Sequence, residues 1–548
     1  MASSTPTPGM LFVTMEPQDG LSLDQFHEWY NNEHGPTRLR LPAIFTTGQR
    51  YRATDGEKPT FLATYDVTDM AILTQPVYTD LRANRSPREA ETIGQVAVKR
   101  YLFDLQSSRQ ADDFVPPANQ SDSAVDGTVL VYVDVTLNET AETAEKAEAE
   151  LVRWYEEEHF GMLTKVPGWL RTRRFRTSSL DLPPNGTAPL RIITLHEYKA
   201  TNGLGGPAHK ASMDTPWRTD VFSKYVANKG RRTYSLFYVF GSAPRDLEHL
   251  APLPASKAFV STDAKTASTP GTDAVLQSYV TTSDGLEIPY RLEGSAAPGA
   301  PTVAFSNSLL TSLHMWDDFV AILKQHRPEL RILRYDTRGR HAIPSPPVPA
   351  TVSMLADDLR AVLKHLRIAK LEALIGVSMG GATTFQFALA YPELVGKFIA
   401  CDFNILSSDA NTAAWKERIG VAEGTPTGME TLAGITVARW FHPATVSTKP
   451  EATQNMVNMV AANNREGFKY SCQALWNFDM RATAKELRVP GLLVVGDGDG
   501  KGALAKAMGA FRETIGKGDV ELKIVSQAGH LPMYENPQAF WEAVEHFL

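Results

Sequence analysis

Between an apolar run at 371–376 (LEALIG) and a helix-prone run at 382–391 (ATTFQFALAY), the chain reads Gly376-Val377-Ser378-Met379-Gly380-Gly381. A strand that turns directly into a helix crowds its own backbone, so such a turn needs residues without a Cβ on both sides of its apex. A serine at the apex is held where the helix begins, and there backbone N–H groups and the helix dipole favour an oxyanion. The surrounding residues, from Ala274 onward, alternate short apolar strands with helical stretches; 301–306 and 331–336 are two further strands. That alternation calls for a mostly parallel sheet with helices packed on it.

Strand, sharp turn and helix around a G-x-S-x-G sequence form a nucleophile elbow, with the acid and then the histidine expected downstream. His530 follows the strand at 520–526 in the loop SQAGHLP, on the side of the sheet from which it reaches Ser378. His442 precedes the acid and His546 lies near the end, so both fit less well. For the acid, the strand at 491–496 leads into Asp497-Gly498-Asp499-Gly500, and both carboxylates sit on the correct loop. Asp497 fits instead a turn residue capping its own backbone, and Asp402 is a third candidate. The acid would hold the imidazole in the right tautomer and stabilise the imidazolium that forms as it takes the Ser378 proton. The oxyanion hole should combine the amide of Met379 with that of Leu309, in the loop after Phe305.

The residues Ser306-Asn-Ser-Leu309, His314-Met-Trp-Asp317, Arg334-Tyr-Asp-Thr-Arg-Gly339 and Gly376-Val-Ser-Met-Gly-Gly381 together resemble the 3-oxoadipate enol-lactonase family of α/β-hydrolases, over about 274–548. The resemblance implies Gly-x-x-Asp after the 491–496 strand, which selects Asp499. It also implies a helical cap at about 406–485, carrying Trp415, Arg418, Arg439, Trp440 and Phe441. Aromatic cap residues would line an apolar pocket, and Arg418 or Arg439 would pair with a substrate carboxylate through the guanidinium fork. Alternatively the aromatics glue the cap to the core and the arginines are solvated. Two stretches depart from the family, Arg338-Gly-Arg-His-Ala-Ile-Pro344 and Gly500-Lys-Gly-Ala-Leu504, both near the expected pocket mouth. The implied activity is serine-dependent opening of a lactone or a small carbonyl-activated ester. Retro-Claisen cleavage of a β-diketone and perhydrolysis are alternatives on the same triad. A ligand-binding or assembly protein built on the upstream half is the alternative of another class.

That upstream half repeats itself. Gly9-MLFVTM and Gly127-TVLVYVDV are strand-like openings, and each leads to a helix ending in one signature, Trp29-Tyr-Asn-Asn-Glu-His34 and Trp154-Tyr-Glu-Glu-Glu-His159. Both repeats close on an aromatic strand. A strand–helix–strand–strand–helix–strand order is ferredoxin-like, and with the Trp-Tyr-x-x-Glu-His element it resembles the dimeric α+β barrel superfamily. The expected fold is therefore an α/β-hydrolase fused to two tandem ferredoxin-like repeats, which would pair as a pseudo-dimer and cover their apolar sheet faces. The expected pieces are 1–105 and 127–240 for the repeats and 273–548 for the hydrolase, with linkers at 106–126 and 241–272. His34 and His159 are candidates for a second site, as proton-transfer groups or heme ligands. The plainer reading is that each imidazole fixes the turn at its helix end.

The rest of the sequence excludes more than it suggests. A net charge of −7 and a pI near 6.0 leave no basic footprint for nucleic acid. No run approaches the ~18–20 apolar residues of a membrane span. Two cysteines, Cys401 and Cys472, are too few for a disulfide framework or a cysteine metal site. The N-terminus lacks the charged and apolar regions of a secretory signal, so the expected compartment is the cytoplasm. The triad requires no cofactor or metal and none is expected; a monomer or homodimer is.

Overall fold

The computed structural model describes residues 6–138, 144–181, 191–516 and 519–548. They divide into two compact units, Met1–Pro244 and Arg245–Leu548. No described helix is long and apolar enough to cross a membrane.

The first unit holds eight strands: β1 Gly9–Pro17, β2 Phe45–Ala53, β3 Phe61–Val67, β4 Val96–Gln110, β5 Val129–Leu137, β6 Trp169–Thr177, β7 Arg191–Tyr198 and β8 Val226–Phe240. They close into one barrel in the order β1-β3-β2-β8-β5-β7-β6-β4. Every pairing is antiparallel. The two repeats thus supply four strands each to a single closed sheet rather than standing in tandem. Closure leaves no unpaired strand edge. It also explains why residues 106–110, which read as linker, continue β4: Ser107, Ser108, Arg109 and Gln110 find partners on β6 across the seam.

Period-two alternation sorts the strand side chains. Met10 and Phe12 meet Leu62, Phe103, Leu130 and Phe175 inside the barrel, while Leu11, Val13 and Met15 pack outward on Phe26, Trp29 and Tyr30. Each Trp-Tyr-x-x-Glu-His signature widens its helix into a π-turn, Tyr30–His34 after the helix Leu23–Trp29 and Tyr155–His159 after Ala144–Trp154. π-turns inside α-helices are rare and concentrate at functional positions.

The second unit is built on ten strands: β9 Phe259–Val260, β10 Ala267–Thr269, β11 Val275–Thr281, β12 Glu287–Gly294, β13 Thr302–Ser306, β14 Arg331–Tyr335, β15 Leu371–Val377, β16 Val395–Cys401, β17 Gly491–Gly496 and β18 Val520–Val525. Their order is β18-β17-β16-β15-β13-β14-β12-β11-β10-β9. From β14 to β18 all pairs are parallel; β12 to β9 add an antiparallel edge. The segment at 241–272, read as linker, therefore contributes two short edge strands. Central strands covered on both faces must be apolar throughout, and β13 and β17 are buried along their whole length. Between β16 and β17 the chain leaves the sheet for six α-helices among the described residues, Asp409–Gly424, Gly428–Trp440, Pro443–Thr448, Pro450–Ala461, Arg465–Cys472 and Arg481–Ala484. This helical insertion sits where the cap was expected.

Candidate active site

In an open parallel sheet the loops that leave the carboxyl ends of the strands converge on one crevice. Five of them do so here: Leu309 follows β13, Ser378 follows β15, Asp402 follows β16, Asp499 follows β17 and His530 follows β18. All five line one pocket of about 510 Å³, together with Trp415, Arg418, Arg439 and Trp440 from the helical insertion.

Ser378 occupies the turn between β15 and the helix Met379–Ala390 with φ 59° and ψ −117°. Residues with a Cβ rarely take up that backbone, and it costs of order 1–3 kcal/mol. Close packing holds it there. A Cβ on Gly376 would run into the Gly380 carbonyl and Thr384 Oγ1, and one on Gly380 into the Ser306 and Asn307 carbonyls. The Ser378 N–H donates to the Cys401 carbonyl at 2.8 Å, tying the turn to β16. Met379 is fully buried, as the first residue of the helix. Among the described residues, neither the Met379 nor the Leu309 N–H donates in a backbone hydrogen bond outside regular helix and sheet.

His530 Nδ1 lies 2.7 Å from Asp499 Oδ2, and the imidazole stacks on Trp440 with ring centroids 5.5 Å apart. Burial pushes the Asp499 carboxyl up, but the charge and hydrogen bond of His530 outweigh it and hold the group below its ordinary range. Asp497 plays a different part. Its carboxylate accepts the N–H groups of Gln527 at 3.1 Å and Ala528 at 3.3 Å, clamping the loop that carries His530. It caps the neighbouring loop rather than its own backbone. Asp402 is fully buried behind Asp499, accepts the Gly496 N–H at 2.9 Å, and has a positive φ of 45°. Burial, then the Asp499 charge, pushes its carboxyl well above the ordinary range. Ligand atoms of Asp402, Asp499 and His530 lie within 4.8 Å of one another. Two of the three, Asp499 and His530, are bonded to each other.

A sequence model of the alpha/beta hydrolase family matches residues 297–543. The 3-oxoadipate enol-lactonase 2 of Acinetobacter baylyi is 31% identical over 246 residues, covering 45% of this chain and 87% of that protein. The chain belongs to the alpha/beta hydrolase family. The 3-oxoadipate enol-lactonase 1 of the same organism is 28% identical over 49% of this chain and 96% of its own length. A solved structure described as an enol-lactonase from Burkholderia xenovorans, 28% identical, covers 49% of this chain and 98% of its own, with a TM-score of 0.44.

In this alpha/beta hydrolase the helical insertion supplies two arginines to the pocket. Burial, then the Arg439 charge, pushes Arg418 down to about 10, and burial also lowers Arg439. Arg418 lies over the Trp415 ring at 4.4 Å. Among the described residues no carboxylate forms an ion pair with either, so both keep a free fork at the pocket wall. Phe441 does not line the pocket; it packs in the core on Tyr534 at 5.8 Å.

Several supports of the site escaped sequence reasoning. Asn307 donates to the Tyr335 carbonyl at 2.9 Å and accepts from Trp316 Nε1 at 2.9 Å, which fixes the path of the Leu309 loop. Arg340, in the stretch that departs from the enol-lactonases, donates to the Leu310 carbonyl at 3.0 Å. Glu535 is buried and accepts four hydrogen bonds: from the N–H of Gly529 at 2.9 Å, Leu531 at 3.2 Å and His442 at 2.7 Å, and from Thr445 Oγ1 at 2.9 Å. It joins the His530 loop to the helical insertion. Only an acidic residue soon after the histidine hinted at it. Leaving several buried donors without an acceptor costs about 1–3 kcal/mol each. Glu535→Ala is therefore expected to destabilise the second unit by about 3 kcal/mol or more in denaturant unfolding, with Glu535→Gln less affected.

Proposed function

We propose that the second unit is a serine hydrolase that opens a lactone, or a small carbonyl-activated ester, and that its substrate carries a carboxylate. The observation that carries this reading is the 2.7 Å bond from His530 to Asp499 in the same pocket as Ser378 on its strained turn. In the proposed cycle His530 takes the Ser378 proton as the hydroxyl attacks the carbonyl, while Asp499 stabilises the imidazolium. The amides of Met379 and Leu309 receive the oxyanion. His530 then passes the proton to the leaving oxygen, and a water it activates clears the acyl-enzyme. An enolate leaving group would tautomerise to a ketone and make ring opening effectively irreversible. The names of the enol-lactonase relatives support the substrate class.

The free forks of Arg418 and Arg439 support the carboxylate. Arg439→Ala or Arg418→Ala is expected to raise KM for a carboxylate-bearing substrate by about tenfold or more, in line with about 1.5–3 kcal/mol for a charge-assisted bond. The corresponding methyl ester should change less in the same initial-rate measurements. For the whole reading, the test is turnover of a panel of lactones, enol-lactones, aryl esters and β-diketones by the full chain and by Ser378→Ala. Serine-dependent opening of lactones or esters supports it. Serine-dependent cleavage of the β-diketones alone would replace it with carbon–carbon hydrolysis, and activity that survives the alanine would overturn it.

For the first unit we propose a duplicated ferredoxin-like origin. Each repeat runs strand, helix, strand, strand, helix, strand, and the four strands of each lie in one order, β4-β1-β3-β2 and β8-β5-β7-β6.

A further inference from the structure

The two repeats of the barrel have the same architecture but have lost chemical equivalence at one place. The helices Pro87–Ile93 and Pro216–Tyr225 begin alike. Ser86 Oγ accepts the Glu89 N–H at 3.0 Å and donates to Glu33; Thr215 Oγ1 accepts the Arg218 N–H at 3.1 Å and donates to Glu158 Oε2 at 2.7 Å. Because Glu33 and Glu158 stand at the same place in the two signatures, these bonds make Glu89 and Arg218 structural counterparts of opposite charge. In the first repeat His34 Nδ1 lies 2.7 Å from Glu89 Oε1, with Arg38 beside them. Burial pushes Glu89 up, yet its bond to His34 and the neighbouring positive charges prevail and hold it at about 2.

In the second repeat that latch is absent. His159 is 4% exposed, and its Nδ1 has no hydrogen-bond partner; neither has the buried Nε of Arg218. Further substitutions remove bulk. Arg38 is matched by Leu163, four residues after each signature histidine. Tyr65 is matched by His196, since Gly48, just before Gln49-Arg-Tyr-Arg, pairs with Tyr65 as Thr172, just before Arg173-Arg-Phe-Arg, pairs with His196. Around His34 the space left is about 10 Å³, whereas around His159 it is about 210 Å³. Valine, leucine, methionine and aromatic side chains form most of the wall of this cavity. Arg218, Lys229 and Arg231 also border it, and no carboxylate does among the described residues. Burial holds His159 and His196 down at about 3, so both rings are neutral. The backbone of Ser212 also engages this His159 ring, and the unpartnered Nδ1 of a neutral imidazole can serve as an acceptor.

We infer that the second repeat is a binding site for a small single-ring carboxylate bearing a hydroxyl or enol, with the carboxylate on Arg218 and the hydroxyl donating to His159. A guanidinium fork that, among the described residues, stacks on the Phe222 ring at 4.5 Å but pairs with no carboxylate calls for an anion, the acceptor nitrogen for a donor, and the apolar wall for a ring. The volume, below the ~300–1,000 Å³ of drug-sized sites, restricts the ligand to about one ring. His34, closed in by Glu89, has no such role and fixes its turn. This inference is independent of the hydrolase reading.

The test is calorimetric titration of the full chain with 4-hydroxybenzoate and with neutral 4-hydroxybenzamide. The carboxylate is expected to bind saturably at concentrations below ~10 mM, with the amide at least about tenfold weaker, one such factor being ~1.4 kcal/mol. Arg218→Glu, which recreates the first-repeat pair, should weaken the carboxylate by about tenfold or more, while Arg439→Ala in the hydrolase pocket should leave a saturable site. Circular dichroism reports whether the variants fold; if Arg218→Glu does not, Arg218→Gln and the carboxylate–amide comparison on the unaltered chain decide. Absence of saturable binding, equal affinity for acid and amide, or loss of binding in Arg439→Ala with indifference to Arg218 would each overturn the inference.

Discussion

Ser378→Ala is expected to lower kcat by about four to six orders of magnitude for whichever lactone or ester the chain opens, with KM nearly unchanged. The size follows from the proposed role. Without the hydroxyl no acyl-enzyme forms, and His530 and Asp499 have no proton to move; members of a triad act as a unit, so losing one costs nearly as much as losing all. What remains is the contribution of the Met379 and Leu309 amides and of substrate binding, about 10³–10⁴-fold over water. Folding should be little affected, because alanine inherits the same positive φ as serine. Ser378→Gly separates the two effects. It should be as inactive as alanine, yet unfold at no lower temperature than the unaltered chain, since relief of about 1–3 kcal/mol of strain offsets the added chain entropy of glycine. Single-turnover kinetics on the best substrate of the panel, with thermal unfolding alongside, measures both.

The second large effect separates two carboxyls that sit side by side. Asp499→Asn is expected to lower kcat by about 10⁴-fold, because the amide holds the imidazole in the wrong tautomer and cannot stabilise the imidazolium. Asp402→Asn should lower it by less than about tenfold. Burial already keeps Asp402 protonated, so the amide replaces one neutral group with another. The same replacement changes stability with a definite sign. The folded protein keeps a proton on Asp402 that the unfolded chain releases above its ordinary value of 3.8. Stability from this group is therefore complete below about pH 3.8 and is lost as pH rises toward its elevated folded value. Asn carries no such dependence, so the Tm of Asp402→Asn relative to the unaltered chain should increase between pH 4 and 7. Asp499 has the opposite linkage: its depressed folded value adds stability above about 3.8 that is lost as the solution becomes more acidic. Equal losses of kcat in the two asparagine variants would reassign the acid.

Position explains which parts of the site were legible beforehand. Ser378 stands in a turn whose Gly376 is demanded by contacts a few residues away, at the Gly380 carbonyl and Thr384. His530 was legible because the strand at 520–525 delivers it directly and its rivals stand at the wrong points in the chain. The acid was less so: Asp497 and Asp499 share one loop, and only the bonds of Asp497 to Gln527 and Ala528 on the neighbouring loop tell them apart. Arg418 and Arg439 were candidates on the strength of resemblance, and their free forks depend on an insertion folding back over the sheet. Glu535 looked like any acidic residue near a helix start, since its four donors come from two separate stretches of chain.

By itself the sequence determined what short-range sterics and periodicity can determine: strand–turn–helix at Ser378, alternating strands and helices downstream of it, and a duplicated signature upstream. Tertiary structure alone decided how those pieces meet. It closed two sets of four strands into one barrel, made Asp499 rather than Asp497 the partner of His530, and left Arg218 where the first repeat has a carboxylate, beside a cavity of about 210 Å³. The reason is physical. A turn is dictated largely by atoms close along the chain, whereas the pairing, ionisation and room given to a side chain depend on neighbours tens to hundreds of residues away, brought close only when the apolar faces pack.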